Sequence, residues 1–225
     1  MRAKRCNVDS LNLASEQMES IFIFQEDYTI ETVKSKSVFK PTVWSEAFGK
    51  SLKQNIVEAK IIHSYLGLTL PLKTFAVTQL SQTVEFAGLH GYNERSQLLV
   101  QTLQELKSQL QQARVTRIDV AIDYEGEIPK SITKALLKLR PKVKQVGNTT
   151  YYKIAKEKKT NRVMDIKIYN KQIQAKLDHP LMRLEFVFKT EYLKKLLFRD
   201  LETALIKMEK TIKKATGLSV KIESI

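Results

Sequence analysis

The sequence predicts an α+β protein, an open antiparallel sheet with helices packed on one face and the functional site on the other. Three observations predict it. Short segments such as Arg117-Ile118-Asp119-Val120-Ala121-Ile122-Asp123 alternate apolar with polar residues, the period of a strand with one face in a core. Longer segments carry leucine and isoleucine at helical spacing. The resulting order of strand, helix, strand, helix, strand, strand, strand and helix places amphipathic strands beside amphipathic helices, which leaves one sheet face uncovered.

Taken in order, residues 1–18 read as a loose lead-in and Ser20-Ile21-Phe22-Ile23-Phe24 as a strand. Phe48, Leu52, Ile56, Ala59 and Ile62 predict a helix over about 45–65, ended at Leu66-Gly67, which puts His63 on a helix surface. Residues 82–87 read as a strand with Val84 and Phe86 on one side and Thr83 and Glu85 on the other. Leu98, Leu99, Leu103, Leu106 and Leu110 then stripe a helix over 94–113. A strand at 115–124 and a short basic helix at 132–139, closed by Pro141, follow. Residues 149–154 and 163–169 read as a hairpin whose tip holds Lys156, Lys158, Lys159 and Arg162. After the Arg183 to Lys189 strand, Thr190 is placed to cap a long helix running through Leu193, Leu201, Met208 and Ile212 to Gly217, with an edge strand at 218–222. Residues 1–80 form an N-terminal strand-and-helix region, either part of the same fold or a small accessory unit, and residues 81–225 form the main domain.

Charge points to the partner. The 225 residues hold 38 Lys and Arg against 24 Asp and Glu, a net charge of +14. Residues 1–113 carry 12 basic and 11 acidic side chains and residues 114–225 carry 26 and 13, so the excess sits with the alternating strands. A basic half of this kind suits a polyanion, since cations that neutralise phosphates release condensed counterions. The N-terminal residues lack the apolar core of a signal peptide and no window approaches a membrane span, so the expectation is a cytoplasmic protein with no membrane partner. Cys6 is the one cysteine, which excludes an internal disulfide and a cysteine zinc site. His63, His90 and His179 are scattered without metalloprotease spacing, and no serine or cysteine triad is supported.

The polar faces of three strands hold Arg117, Asp119 and Asp123, then Lys167, Tyr169 and Lys171, then Arg183, Glu185 and Lys189. Carboxylates from neighbouring strands suit a hard divalent cation, magnesium or manganese. Asp119 and Asp123 are four residues apart, roughly 13 Å along a straight strand, too far to share one ion. The expected ligands are therefore Asp119, Glu185 and Glu85, with Asp123 and His90 as secondary candidates. Salt bridges to Arg117 and Arg183 are the structural alternative for the same carboxylates. Tyr169, between two lysines, is a candidate nucleophile, with its phenolate expected to be favoured by those cations.

Thr116-Arg117-Ile118-Asp119-Val120-Ala121-Ile122-Asp123, Ile168-Tyr169-Asn170-Lys171 and Arg183-Leu184-Glu185, with Thr83-Val84-Glu85-Phe86 and Thr149-Thr150-Tyr151-Tyr152 before them, resemble the motifs of rolling-circle replication initiators of plasmids and phages. The resemblance covers residues 83–189. It implies an origin-nicking and joining enzyme whose tyrosine, here Tyr169, attacks a DNA phosphodiester and stays joined to the 5′ phosphate. It also implies Lys171 and Arg183 as holders of phosphate oxygens, Arg117, Lys167 and the basic hairpin tip as DNA contacts, and 81–225 as the nicking domain. The implied partner is single-stranded or hairpin DNA at a replication origin, with a host helicase and a second copy of the chain as further partners to weigh. A non-catalytic DNA-binding replication regulator and a water-using metal-dependent nuclease are the alternatives on the same residues.

Overall fold

The chain's first strand, β1 (Lys4–Ser15), runs through the middle of the sheet. The computed structural model describes residues 4–23, 26–40, 52–64, 66–76, 80–153, 164–189 and 192–225. After β1 come α1 (Met18–Ile23), β2 (Tyr28–Lys40), β3 (Leu52–His63), β4 (Thr69–Ala76) and β5 (Leu80–Ala87). Helices α2 (Glu94–Glu105) and α3 (Lys107–Leu110) lead into β6 (Arg114–Glu125), α4 (Lys130–Leu139), β7 (Lys142–Val146), β8 (Thr149–Lys153) and β9 (Asp165–Asn170). The chain continues through α5 (Lys171–Ala175), β10 (Leu181–Lys189), α6 (Leu201–Thr216) and β11 (Val220–Glu223). The α+β expectation holds.

Among the described residues, the strands form one sheet in the order β2-β3-β4-β5-β1-β6-β10-β9-β8-β7. Every pairing along that path is antiparallel, and β11 joins the first residues of β1 in parallel, Lys4 opposite Val220. Period-2 alternation sends Leu11 and Leu13 of β1, Ile118, Val120 and Ile122 of β6, Leu184, Phe186 and Phe188 of β10, and Ile166 and Ile168 of β9 to one face. The leucines Leu99, Leu103, Leu106 and Leu110 of α2 and α3, Ile132 and Leu136 of α4, and Leu205, Met208 and Ile212 of α6 cover that face. Each fully buried aliphatic or phenylalanine side chain contributes roughly 1.5–3 kcal/mol. The opposite face is left for polar groups.

The N-terminal third departs from the sequence expectation. Residues 4–15 are a central strand and not a lead-in, because Cys6, Val8, Leu11 and Leu13 all enter the core. Their period of two is broken by a bulge between Val8 and Ser10, which hides the alternation in the sequence and leaves Asp9 as the extra residue. Residues 18–23 are helical, since Met18 and Phe22 lie four apart on one buried face. The helix expected over 45–65 is contradicted by β3 from Leu52 onward; residues 41–51 and 65 lie outside the described residues. Lys60 is exposed, Ile61 buried and His63 buried, a strand alternation, and pairing with β2 and β4 on both sides overrides the helical spacing. His63 packs its ring on Tyr28 at 4.7 Å, so it is a core histidine.

The last helix starts later than expected. Val115 N–H donates to the Leu196 carbonyl and Phe198 N–H to the Ala113 carbonyl, drawing that stretch of backbone onto the start of β6. Lys195 takes the left-handed region at φ 62°, and the helix begins only at Leu201. Gly217 ends it as expected, at φ 74°, a conformation that glycine adopts without steric cost. β7, exposed on every residue, carries no apolar face for a pattern to reveal. The β8–β9 hairpin agrees with expectation, and its tip, with Lys156, Lys158, Lys159 and Arg162, lies outside the described residues.

A central β1 makes a testable prediction. Leu11→Ala, at a fully buried position, is expected to lower unfolding free energy by about 2–5 kcal/mol in urea denaturation. A dispensable lead-in would show no change.

Candidate active site

The sheet face opposite these helices gathers its polar side chains through strand register. Arg183 on β10 stands opposite Asp123 of β6 on one side and Tyr169 of β9 on the other. Two residues along, Glu185 stands between Ala121 and Lys167. Ser10 faces Asp119, and Asn12 lies between Arg117 and Glu85 of β5. Cross-strand partners share a face, so the three motifs meet as the alternation requires.

Arg183 is the buried centre of the first cluster. Its Nε and Nη2 donate to the Asp123 carboxylate, both at 2.7 Å, its Nη1 to Asp9 Oδ1 at 2.5 Å, and Nη2 also to the His90 carbonyl at 3.0 Å. The bulge makes this possible: the Asp9 carbonyl accepts from the backbone N–H of Gly88 and Leu89, which brings the turn after β5 over the guanidinium. Tyr92 donates to Asp123 Oδ2, and His90 Nε2 lies 3.3 Å from the same oxygen. Burial alone would raise the Asp123 pKa, but hydrogen bonds from Arg183 and His90 and the Arg183 charge hold it well below the usual carboxylate range.

The second cluster is centred on Glu185. The Tyr169 hydroxyl donates to Glu185 Oε2 at 2.7 Å, and Lys167 Nζ lies 2.6 Å from Oε1. Asp119 is within hydrogen-bonding reach of Glu185 and takes a two-pronged contact from Arg117, at 2.7 and 2.6 Å. Both carboxyls are almost completely buried. Burial raises the Asp119 pKa, Arg117 opposes it, and the Glu185 charge adds to the rise. Burial works against Glu185 too, but Lys167 and the hydrogen bonds from Asp119 and Tyr169 keep its carboxyl below the ordinary range. The Asp119 pKa is thus pushed up to about 6, and Glu185 is the more acidic of the two.

Several expectations are revised by this geometry. The Tyr169 phenolate is not favoured: burial, then the charge of Glu185, push its pKa well up, outweighing Arg183, and the side chain is 7% exposed. Arg183, expected on phosphate, has no solvent-exposed surface and serves Asp9 and Asp123. Arg117 and Lys167, expected on DNA, are paired with the site's own carboxylates. Lys171 does not continue the strand face; it opens α5, with its Nζ on Gln174 Oε1 at 3.0 Å, and burial followed by Arg183 lowers its pKa. Asp123 and His90 assist Arg183 and not the Asp119 pair. Tyr152 enters the core, while Tyr151 stays on the site face opposite Lys167.

A divalent cation fits part of this arrangement. Asp119 and Glu185 are neighbouring hard-oxygen donors, both almost fully buried. Asn12 Oδ1, one strand over, is buried without a hydrogen-bond partner among the described residues. Glu85 lies within electrostatic reach of Arg117, on the other side of Asn12 from it, and among the described residues no group of three acidic, histidine or cysteine side chains is close enough to hold a metal. Asp9, Asn12 and Tyr92 are site residues that sequence reasoning missed. The alternation of Leu11, Asn12 and Leu13 was the available signal for β1.

No protein-family model matches this chain, and no curated protein sequence matches it. No helix among the described residues is long and apolar enough to cross a membrane.

Removing Arg183 tests its role in stability. Arg183→Met leaves Asp9 and Asp123 buried without their cation and is expected to cost about 3–5 kcal/mol in chemical denaturation. The depressed Asp123 pKa has a definite sign: its contribution is complete above the unfolded value, near ~4, and is lost as pH falls toward the lower folded value. Asp123→Asn is therefore expected to be less stable at pH 7 and to lose part of the acid-side slope of stability against pH.

Proposed function

We propose that this chain is a metal-dependent DNA nicking and joining enzyme that initiates rolling-circle replication, with Tyr169 as nucleophile. The observation that carries the reading is the Tyr169 O–H donated to Glu185 Oε2 at 2.7 Å, with Asp119 beside it, on a sheet face in the basic half of the chain. A neutral phenol is a poor nucleophile, and one hydrogen-bonded to an ionised carboxylate has its proton acceptor already in place. As the phenol oxygen bonds to phosphorus, its proton passes to Glu185. The phosphorus–O3′ bond breaks, and the departing 3′ oxygen takes up the proton that Glu185 received from the phenol. Tyr169 remains esterified to the 5′ phosphate, and the same proton path in reverse rejoins the strand.

Asp119 and Glu185, with Asn12 Oδ1 near them, are the residues to hold magnesium or manganese, which when bound would polarise the scissile phosphate. Arg117 and Lys167 keep the two carboxylates fixed in position. Origin DNA is the partner this reading requires, and the 3′ hydroxyl set free suits priming by a polymerase. The pairing of Arg117, Lys167 and Arg183 with internal carboxylates, and the low exposure of Tyr169, support a second reading, a DNA-binding replication regulator that does not cut.

Incubation with end-labelled origin DNA and magnesium or manganese, followed by denaturing electrophoresis, separates the readings. The expected result is a covalent protein–DNA adduct that Tyr169→Phe abolishes with DNA affinity retained, and that Glu185→Gln slows by about 10²–10⁴-fold. Cleavage surviving in Tyr169→Phe would assign a water nucleophile. Binding without cleavage in the wild type would assign the regulator.

A further inference from the structure

Beside Tyr169 lies a cleft of about 330 Å³ that the chemistry above does not use. It is lined by Thr149 and Tyr151 of β8, their cross-strand partners Tyr169 and Lys167 of β9, and Ile173 and Gln174 of α5. Its volume is at the small end of the ~300–1,000 Å³ range of ligand clefts, a size for one nucleotide and too small for a duplex. Tyr151 is half-buried and offers an aromatic face, while Ile173 is apolar and 59% exposed at the rim. A planar apolar ligand gains from both. Base stacking on an aromatic side chain is the general device for holding single-stranded nucleic acid.

Two side-chain amides of the cleft have a fixed orientation. Asn170 Oδ1 accepts from the backbone N–H of Ile173 at 3.0 Å, capping α5. Gln174 Oε1 accepts from Lys171 Nζ at 3.0 Å. Each contact fixes which end of the amide is the oxygen and leaves the NH2 group as its donor end. Both residues line the cleft, so it offers hydrogen-bond donors. A free Asn or Gln pairs with adenine by using oxygen and nitrogen together; NH2 groups whose oxygens are already held suit a base with two adjacent acceptors, and guanine presents O6 and N7.

We infer that this cleft is a base-recognition subsite that seats one unpaired nucleobase next to the scissile phosphate and prefers guanine. The inference rests on the reading of Tyr169 as the nucleophile for its place in the reaction, and Tyr151, Asn170 and Gln174 are the specificity-determining residues. Lys171, whose position is set by Gln174, couples the base seat to the charged cluster, because Glu185 and Asp123 lie within electrostatic reach of its amine.

The test is direct binding, in EDTA so that no strand is cut, of fluorescent thymidine decamers carrying a single dG, dA or dC. A single preferred base seats itself, because a short single strand binds in whichever register is best. The wild type is expected to bind the dG decamer at least about fivefold more tightly than the dA decamer. Tyr151→Ala is expected to weaken all of them by about fivefold or more. Gln174→Glu keeps the contact to Lys171 and replaces the donor with an acceptor, so the preference is expected to move from dG to dA or dC, which offer amino groups. Equal affinities in the wild type, or an unchanged ranking in Gln174→Glu, would overturn the subsite. Because no cleavage is needed, missing adducts in the electrophoresis experiment would defeat the nicking reading and leave a base preference standing. Normal adducts with flat base preference would defeat the subsite alone.

Discussion

The buried guanidinium of Arg183 is the interaction on which the site face depends. It ties together β10, β6, β1 and the turn after β5 through Asp123, Asp9 and the His90 carbonyl, residues 60, 174 and 93 positions away in sequence. A cation with no contact to solvent is stable only where its donors are met by fixed acceptors, and two carboxylates plus a carbonyl meet that condition. The planar fork of arginine also sets directions. Rotating any of the three strands by one residue would turn Asp9, Asp123 or Arg183 into the helix-covered core, so the ion cluster enforces the register that hydrophobic alternation favours.

That register decides where the chemistry stands. Glu185 is two residues from Arg183 on β10, and Tyr169 is the cross-strand partner of Arg183, so fixing the guanidinium fixes both ends of the Tyr169–Glu185 hydrogen bond. Ala121 opposite Glu185 leaves room for the carboxylate to meet Asp119 from the same strand. The result is two neighbouring clusters with different characters. One is a salt-bridged support around Arg183; the other sets Asp119, Glu185 and a neutral phenol side by side, with the phenol's proton already directed at a Glu185 oxygen.

Charge is divided between the faces accordingly. Inside the site, Arg117, Lys167 and Arg183 are matched by Asp119, Glu185, Asp9 and Asp123. Exposed lysines stand elsewhere, including Lys134 and Lys138 on α4, Lys142 and Lys144 on the outer strand β7, and Lys207, Lys213 and Lys214 on α6. Attraction of a polyanion over distances up to a Debye length depends on the sum of these charges and not on the few at the reacting atoms.

Local pattern alone determined the α+β class, the strands β5, β6, β8, β9 and β10, the helices α2, α4 and the end of α6, and the shared polar face of Asp119, Tyr169 and Glu185. Those features rest on period and on turn residues such as Gly217, which act within a few residues. The sequence also placed Arg117, Lys167 and Arg183 on that face and offered Arg117 and Arg183 as salt-bridge partners of its carboxylates, but not which carboxylate each arginine meets. Only the tertiary structure decided that β1 is central, because its alternation is interrupted by the bulge at Asp9 and because a strand's rank in a sheet depends on segments far along the chain. It likewise turned residues 52–63 into a strand, through pairing on both sides, against an apolar spacing that fits a helix equally well. And it decided the protonation order of the site: burial and the neighbouring Glu185 charge, neither visible in a one-dimensional pattern, keep the Tyr169 phenol neutral where the adjacent lysines alone argued for its anion.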